Sequence, residues 1–337
     1  MQYFILRRLL LLIPLLIGVT LVAFIISRAV PSDPVNAALG QNAVANEELV
    51  AAFRAKWGLD KPPYIQYLTY VGKLIQGDMG QSISTHRPVV DDLRRFLPAT
   101  IELATAAIIL AVLVGVPLGV ISAVRRNSWI DQISRVVSLV GVSAPVFWLA
   151  LIGLYVLYGQ LRWLPGPGRL DIGLEPPLRV TGLYTIDALV AGDLWLFWNA
   201  VSHLTLPSIV LAAFSMGLIT RITRSAMLES LGQDYVRTAR SKGLHESRVI
   251  FHHTFRNALI PTVTVLGLSY GNLLTGAVLT ETIFSWPGIG QYAFQASVSL
   301  DFPAIMGVTM LIAFVFIMAN LIVDILYVFL DPRLREG

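Results

Sequence analysis

The chain has 337 residues, 55% of them hydrophobic and 14% charged, with a formal net charge of +4. A soluble domain carries about 25% charged residues, so this composition, with its long apolar runs, excludes a soluble protein and indicates an integral membrane protein. The absence of cysteine excludes disulfides and Cys-ligated metals, and basic residues that sit beside apolar runs rather than on one soluble face exclude a nucleic-acid surface.

In chain order the sequence predicts six membrane spans. Residues 1–8 end in Arg7-Arg8, and residues 9–26 form an apolar run of crossing length. The run is longer than a usual signal-peptide core, and no small-x-small cleavage site follows it cleanly. It is read as span 1, with the N-terminus cytoplasmic. Residues 31–98 are amphiphilic and predict an extracytoplasmic helical cap. A first short helix begins at Asn46-Glu47-Glu48, where acids favour the positive end of the helix dipole. It carries Leu49, Phe53 and Trp57 on one face and stops at Gly58. A second opens at Lys61-Pro62-Pro63 and runs to Gln76, before a turn at Gly77-Asp78-Met79-Gly80. The cap is either a contact surface or a packing insert.

Residues 103–124 are uncharged and form span 2, closed by Arg125-Arg126. Span 3 covers residues 136–161, which makes residues 127–135 a tight cytoplasmic turn. Pro145 inside it is tolerated because neighbouring helices satisfy freed backbone groups. Residues 164–202 read as an outer loop. Its Trp195 and Trp198 suit either an interfacial belt or core packing. Span 4 covers residues 203–220 and span 5 residues 257–280; residues 285–303 are an outer loop, and span 6 covers residues 304–323. Both termini then lie in the cytoplasm. The positive-inside rule agrees, since Arg7, Arg8, Arg125, Arg126, Arg135, Arg221, Arg224, Arg256, Arg333 and Arg335 all fall on that side. Residues 1–337 read as a single membrane domain, without tandem repeats or a soluble second unit.

Between spans 4 and 5, residues 228–257 form a polar, mostly basic cytoplasmic loop. Asp234 is placed to N-cap a short helix, its carboxylate accepting from first-turn N–H groups. Gly243 is placed to close that helix in the left-handed conformation that a Cβ resists. Between them, Arg237 is followed by the small residues Thr238 and Ala239, where a partner could approach closely. The loop is either a contact element for another subunit or an ordinary orienting basic loop.

No Gly-x-x-x-x-Gly-Lys-Ser/Thr occurs, and the only lysines are at 56, 61, 73 and 242, so the phosphate cradle of a P-loop ATPase is missing. His245-Glu246 lacks a second His at zincin spacing, and adjacent His252-His253 point to different helix faces. No metal site or catalytic residue is therefore assigned. Glu102, Asn272, Thr275, Glu281, Asn320 and Asp324 lie near or within spans, and polar groups there usually face protein or a water path. Asn272 and Thr275 in span 5, with Glu281 at its outer end, are candidates to line a translocation path; ordinary helix–helix hydrogen bonding is the alternative for each.

The residues of the basic loop resemble the EAA loop of inner-membrane permeases from binding-protein-dependent ABC importers. That loop has an acidic, amide or basic residue, two small residues, three variable ones, then Gly; Arg237, Thr238, Ala239 and Gly243 fill those places. Leu228, Leu244, Ile250 and Phe255-Arg256 fit the wider pattern. Sugar permeases often carry Pro where Arg256 stands. The Arg form, followed by Asn257-Ala258-Leu259-Ile260-Pro261, resembles the dipeptide and oligopeptide branch. So do residues 279–290 (Leu-Thr-Glu-Thr-Ile-Phe-Ser-Trp-Pro-Gly-Ile-Gly), Arg7-Arg8 and Pro145-Val146-Phe147-Trp148. The resemblance covers essentially the whole chain.

It implies an all-α membrane protein: six transmembrane helices, an extracytoplasmic helical cap and a cytoplasmic coupling loop. It implies a translocation subunit that is not itself an enzyme, in the cytoplasmic (inner) membrane. Asp234, Tyr235, Arg237, Thr238, Ala239, Gly243, Leu244 and Arg256 would contact an ATPase. The implied partners are a second, homologous permease chain, two ATPase subunits that bind ATP and Mg, and an extracytoplasmic peptide-binding protein, with membrane lipid around them. This chain itself would hold no cofactor and no nucleic acid. The implied cargo is dipeptides or short oligopeptides. The alternatives are a permease for nickel or another solute of the same family, an ion-coupled secondary transporter, and a structural membrane subunit. The matched broken-helix halves of a secondary transporter are not seen.

Overall fold

The computed structural model describes residues 14–26, Ala51 and residues 61–330. The helix expected to start at Asn46, and the basic residues near both ends, lie outside the described residues. Among the described residues the architecture is all-helical, with no sheet and one isolated antiparallel bridge between Gln81 and Pro88.

Helix α1 is Pro14–Ile26 and α2 is Pro63–Ile75. Tyr67 of α2 meets α1 through its hydroxyl, 3.0 Å from that of Thr20, and through an edge-to-face contact with Phe24. The turn expected at residues 77–80 forms, with Gly77 and Gly80 at φ 81° and 84°. The centre of the molecule is α3, Val89–Val124, packed along α7, Leu194–Leu231. Ala99, Leu103, Ala107 and Ala111 line one stripe of α3, and Leu211 and Ile219 of α7 share their cluster. Lipid supplies no hydrophobic drive between helices, so close approach of small residues does the packing. A Cβ on Gly119 would stand 2.8 Å from the Thr220 carbonyl oxygen.

Helix α4, Trp129–Ser143, and α5, Val146–Gly153, follow, the latter continuing as a wider π-helical segment, Leu154–Gln160. The sequence predicted one span here, over residues 136–161. The structure instead bends the pair by 105°. The break falls where Ala144 is extended ahead of Pro145, as the proline ring requires of the residue before it. The expected loop of residues 164–202 also needs correction: it contains α6, Tyr184–Val190, and the first turns of α7.

After α7 come α8, Asp234–Ser241, and the short α9, Glu246–Arg248. A second π-helical segment, Val249–Phe255, leads into α10, Arg256–Gly276. Span 5 was expected to reach residue 280, but the helix stops at Ala277 and a separate α11, Val278–Ile283, begins. The outer loop of residues 285–303 holds α12, Ile289–Val298, before α13, Phe302–Leu330.

Among the described residues, four helices are long and apolar enough to cross a membrane: α3, α7, the run Glu246–Thr275 and α13 over Phe302–Ile322. The bent pair makes a fifth if taken as one span. As described, α1 is shorter than the roughly 20 residues a crossing needs.

Candidate functional site

Helix α8 is seated by two residues. Val236 and Ala239 turn inward and form a small buried cluster with Val249, against which Leu231 and Leu244 pack. Asp234, Tyr235, Arg237, Thr238 and Ser241 remain on the outer side. The helix therefore presents a polar, partly basic face while its apolar side is held by its own chain. Of the two small residues that follow Arg237, Ala239 helps to seat the helix and Thr238 faces out.

The expected cap at Asp234 is corrected by one position. Gln233 is the N-cap and makes no side-chain capping bond. Asp234 is the first helical residue, and its carboxylate faces Arg237 at 3.5 Å. Its charge still lies at the positive end of the helix dipole. Gly243 closes the helix at φ 73°, with open space where a Cβ would go. Arg240 and Glu246 then clip the turn at 2.6 Å. Arg256 is exposed at the first position of α10, and Asn257 beside it donates to the Tyr235 hydroxyl at 2.9 Å.

The three candidate path residues do not form one group. Asn272 is exposed on α10, and Thr275 donates to its carbonyl at 3.2 Å. Glu281 lies past the break at Ala277 and is fully buried. Its carboxyl accepts from the Thr100 hydroxyl at 2.6 Å and the Gln291 N–H at 2.9 Å. Burial pushes it up to about 7, against the opposing hydrogen bond from Thr100. A Cβ on Gly288 would collide with this carboxyl, and one on Gly290 would lie 2.9 Å from Oε2 and 2.7 Å from Val278 Cα. The spacing of Glu281, Gly288 and Gly290 is thus a packing requirement. The loop it organises is fixed to α3 as well: the Trp286 indole donates to the Ala99 carbonyl and the Ile289 N–H to the Thr100 hydroxyl, each at 2.8 Å.

The same half of α3 holds two more connections that sequence reasoning missed. Asp92 is buried and accepts from the hydroxyls of Thr85 and Tyr292, with Arg87 at 3.3 Å. Glu102 pairs with Arg169 at 2.5 Å and accepts from the Thr185 N–H and hydroxyl. The Arg169 guanidinium lies 3.4 Å over the Tyr184 ring. Only Glu102 stood out in sequence as a charge near a span; its partner is 67 residues away.

The geometry joins long crossing helices, a polar helix–turn element seated between two of them, and a network of loops fixed to one helix end. A family model described as the binding-protein-dependent transport system inner membrane component matches residues 115–336. The chain belongs to this family. A second model, for the N-terminal part of such membrane components, matches residues 1–104. The transport component is 48% identical over 320 residues to the probable D,D-dipeptide transport system permease protein of Escherichia coli (strain K12), covering 95% of this chain and 94% of that one. It is 45% identical to the dipeptide transport system permease protein of Alkalihalophilus pseudofirmus, over 98% of each. Against the di/tripeptide transport system permease protein of Pseudomonas aeruginosa the identity is 47%, over 100% and 99%. The transport component is accordingly a non-catalytic, multi-pass subunit of the inner membrane that works with a binding protein and ATPase partners.

Proposed function

We propose that the chain is one of two permease subunits of an ATP-driven importer of dipeptides or short oligopeptides. Six spans are counted by taking the bent pair as one and α1, whose apolar sequence extends back to Leu9, as another. Both termini then lie in the cytoplasm, residues 31–98 lie over the outer mouth and residues 228–257 form the coupling loop. The observation that carries the coupling role is α8. It is a polar helix held from behind by Val236 and Ala239 and closed by a left-handed Gly243, and it links two crossing helices. The peptide cargo is carried over from relatives alike across the whole length.

In this reading ATP and Mg bind on two separate ATPase subunits. Asp234, Tyr235, Arg237, Thr238, Gly243 and Arg256 supply the docking face, with Ala239 and Leu244 behind it. A homologous second permease completes the path, which Asn272 and Thr275 help to line. Work enters because ATP and cargo each bind the inward and outward states with different affinity. The test is purification in mild detergent together with uptake of a labelled dipeptide by cells with and without the gene. Co-purified ATPases and gene-dependent uptake are expected. Uptake of nickel but no peptide would move the chain to another cargo of the same family.

A further inference from the structure

We propose that Asp131 and Arg224 are a positioning pair for transport, locking α4 to α7 so that movement of α8 reaches the bent pair. This rests on the reading of α8 as the coupling element. Asp131 on α4 is completely buried. The Arg224 guanidinium on α7 grips it with two bonds, Nε to Oδ1 at 2.7 Å and Nη2 to Oδ2 at 2.9 Å. Ser122, near the end of α3, donates its hydroxyl to the same carboxylate at 2.5 Å. Asn127, in the left-handed conformation at φ 63°, aims its backbone N–H at Oδ2 from 2.9 Å.

A two-bond guanidinium–carboxylate pair fixes orientation as well as distance. Buried ion pairs add little net stability over apolar packing, and their best-attested use is to set register. A second fixed point exists on the same two helices. A Cβ on Gly217 would stand 2.5 Å from the Ser138 carbonyl oxygen, and one on Gly141 would stand 2.7 Å from the Ala213 carbonyl oxygen. Two points held along each helix prevent α4 from sliding or rotating on α7. Arg224 is seven residues from the end of α7 at Leu231, about 10 Å at the helical rise, and α8 follows directly. On its other side α4 leads through the 105° bend into α5, which packs against α11. The clamp therefore connects the coupling loop to the segment that carries Glu281.

The test uses the complete transporter in vesicles, reading ATPase association, ATP hydrolysis and labelled-dipeptide uptake separately. Asp131→Asn should lower uptake per ATP hydrolysed by about tenfold. Because that variant leaves the partly buried Arg224 cation without its counter-charge, Asp131→Asn/Arg224→Met decides the matter. Removing both charges relieves the desolvation cost, so assembly and thermal stability should recover while uptake per ATP stays low. A double variant that transports at the wild-type ratio would reduce the pair to packing, and one that fails to assemble would make it a folding element; either overturns the proposal. Gly243→Val is run alongside. If it transports normally, the coupling role of α8 fails, whereas the double variant still reports on the clamp itself.

Discussion

Glu281 is a carboxyl group held by neutral donors, and its folded-state behaviour follows from burial. Its raised value means that the folded protein holds the proton more tightly than the unfolded chain. Stability from this group is therefore fully present below pH 4.5 and lost as pH rises to about 7. Glu281→Gln should flatten that part of the pH–stability profile, measured by thermal unfolding in detergent; an unchanged slope would mean that the carboxyl is not shielded as described. Gly288→Ala should destabilise at every pH, because its methyl group meets the same carboxyl. Gly243 poses a different problem, since space is open around it and only the backbone is special. A left-handed residue with a side chain costs roughly 1–2 kcal/mol. Gly243→Val should still insert but lose uptake, and Gly243→Asn should be milder because Asn tolerates that conformation. Equal transport by all three proteins would remove Gly243 from the mechanism.

At the level of elements, α3 shows what sequence could and could not deliver. Residues 103–124 were legible because no charge interrupts them. The helix in fact starts at Val89. Asp91, Asp92, Arg94, Arg95, Pro98 and Glu102 disguise that half, because an apolar-run criterion stops at charges. Glu102 is buried because partners far along the chain satisfy it, and Asp92 joins the distant Tyr292 hydroxyl to the nearby Thr85 and Arg87. The bend at Pro145 was half legible: the proline is visible, but the 105° angle is set by what α4 and α5 pack against. In the basic loop the helix and its glycine stop were readable from local chemistry, and the N-cap was misplaced by one residue. The clamp of Asp131 on Arg224 gave no local signal, since the two are 93 residues apart. The Glu102–Arg169 pair makes this dependence measurable. Arg169→Met should cost about 3–5 kcal/mol by stranding a buried carboxylate. Adding Glu102→Gln should recover most of that loss in the same thermal assay; no recovery would show that Arg169 acts through its stacking on Tyr184.

For the whole molecule, the orientation of the chain decides whether α8 can meet an ATPase at all. The natural sequence has no cysteine, so a single introduced one is a clean reporter. A membrane-impermeant thiol reagent should label Ile172→Cys in intact cells but leave Ser241→Cys unlabelled until the membrane is opened. Both positions are exposed, so labelling reads sidedness rather than burial. The energy source is the larger question, because the chain carries no nucleotide-binding loop of its own. The most direct measurement is uptake of a labelled dipeptide by vesicles holding the assembled transporter, with ionophores collapsing every ion gradient. Uptake should require the binding protein and ATP on the side of α8, and should survive the ionophores. Uptake driven by an imposed ion gradient without ATP would contradict the importer reading.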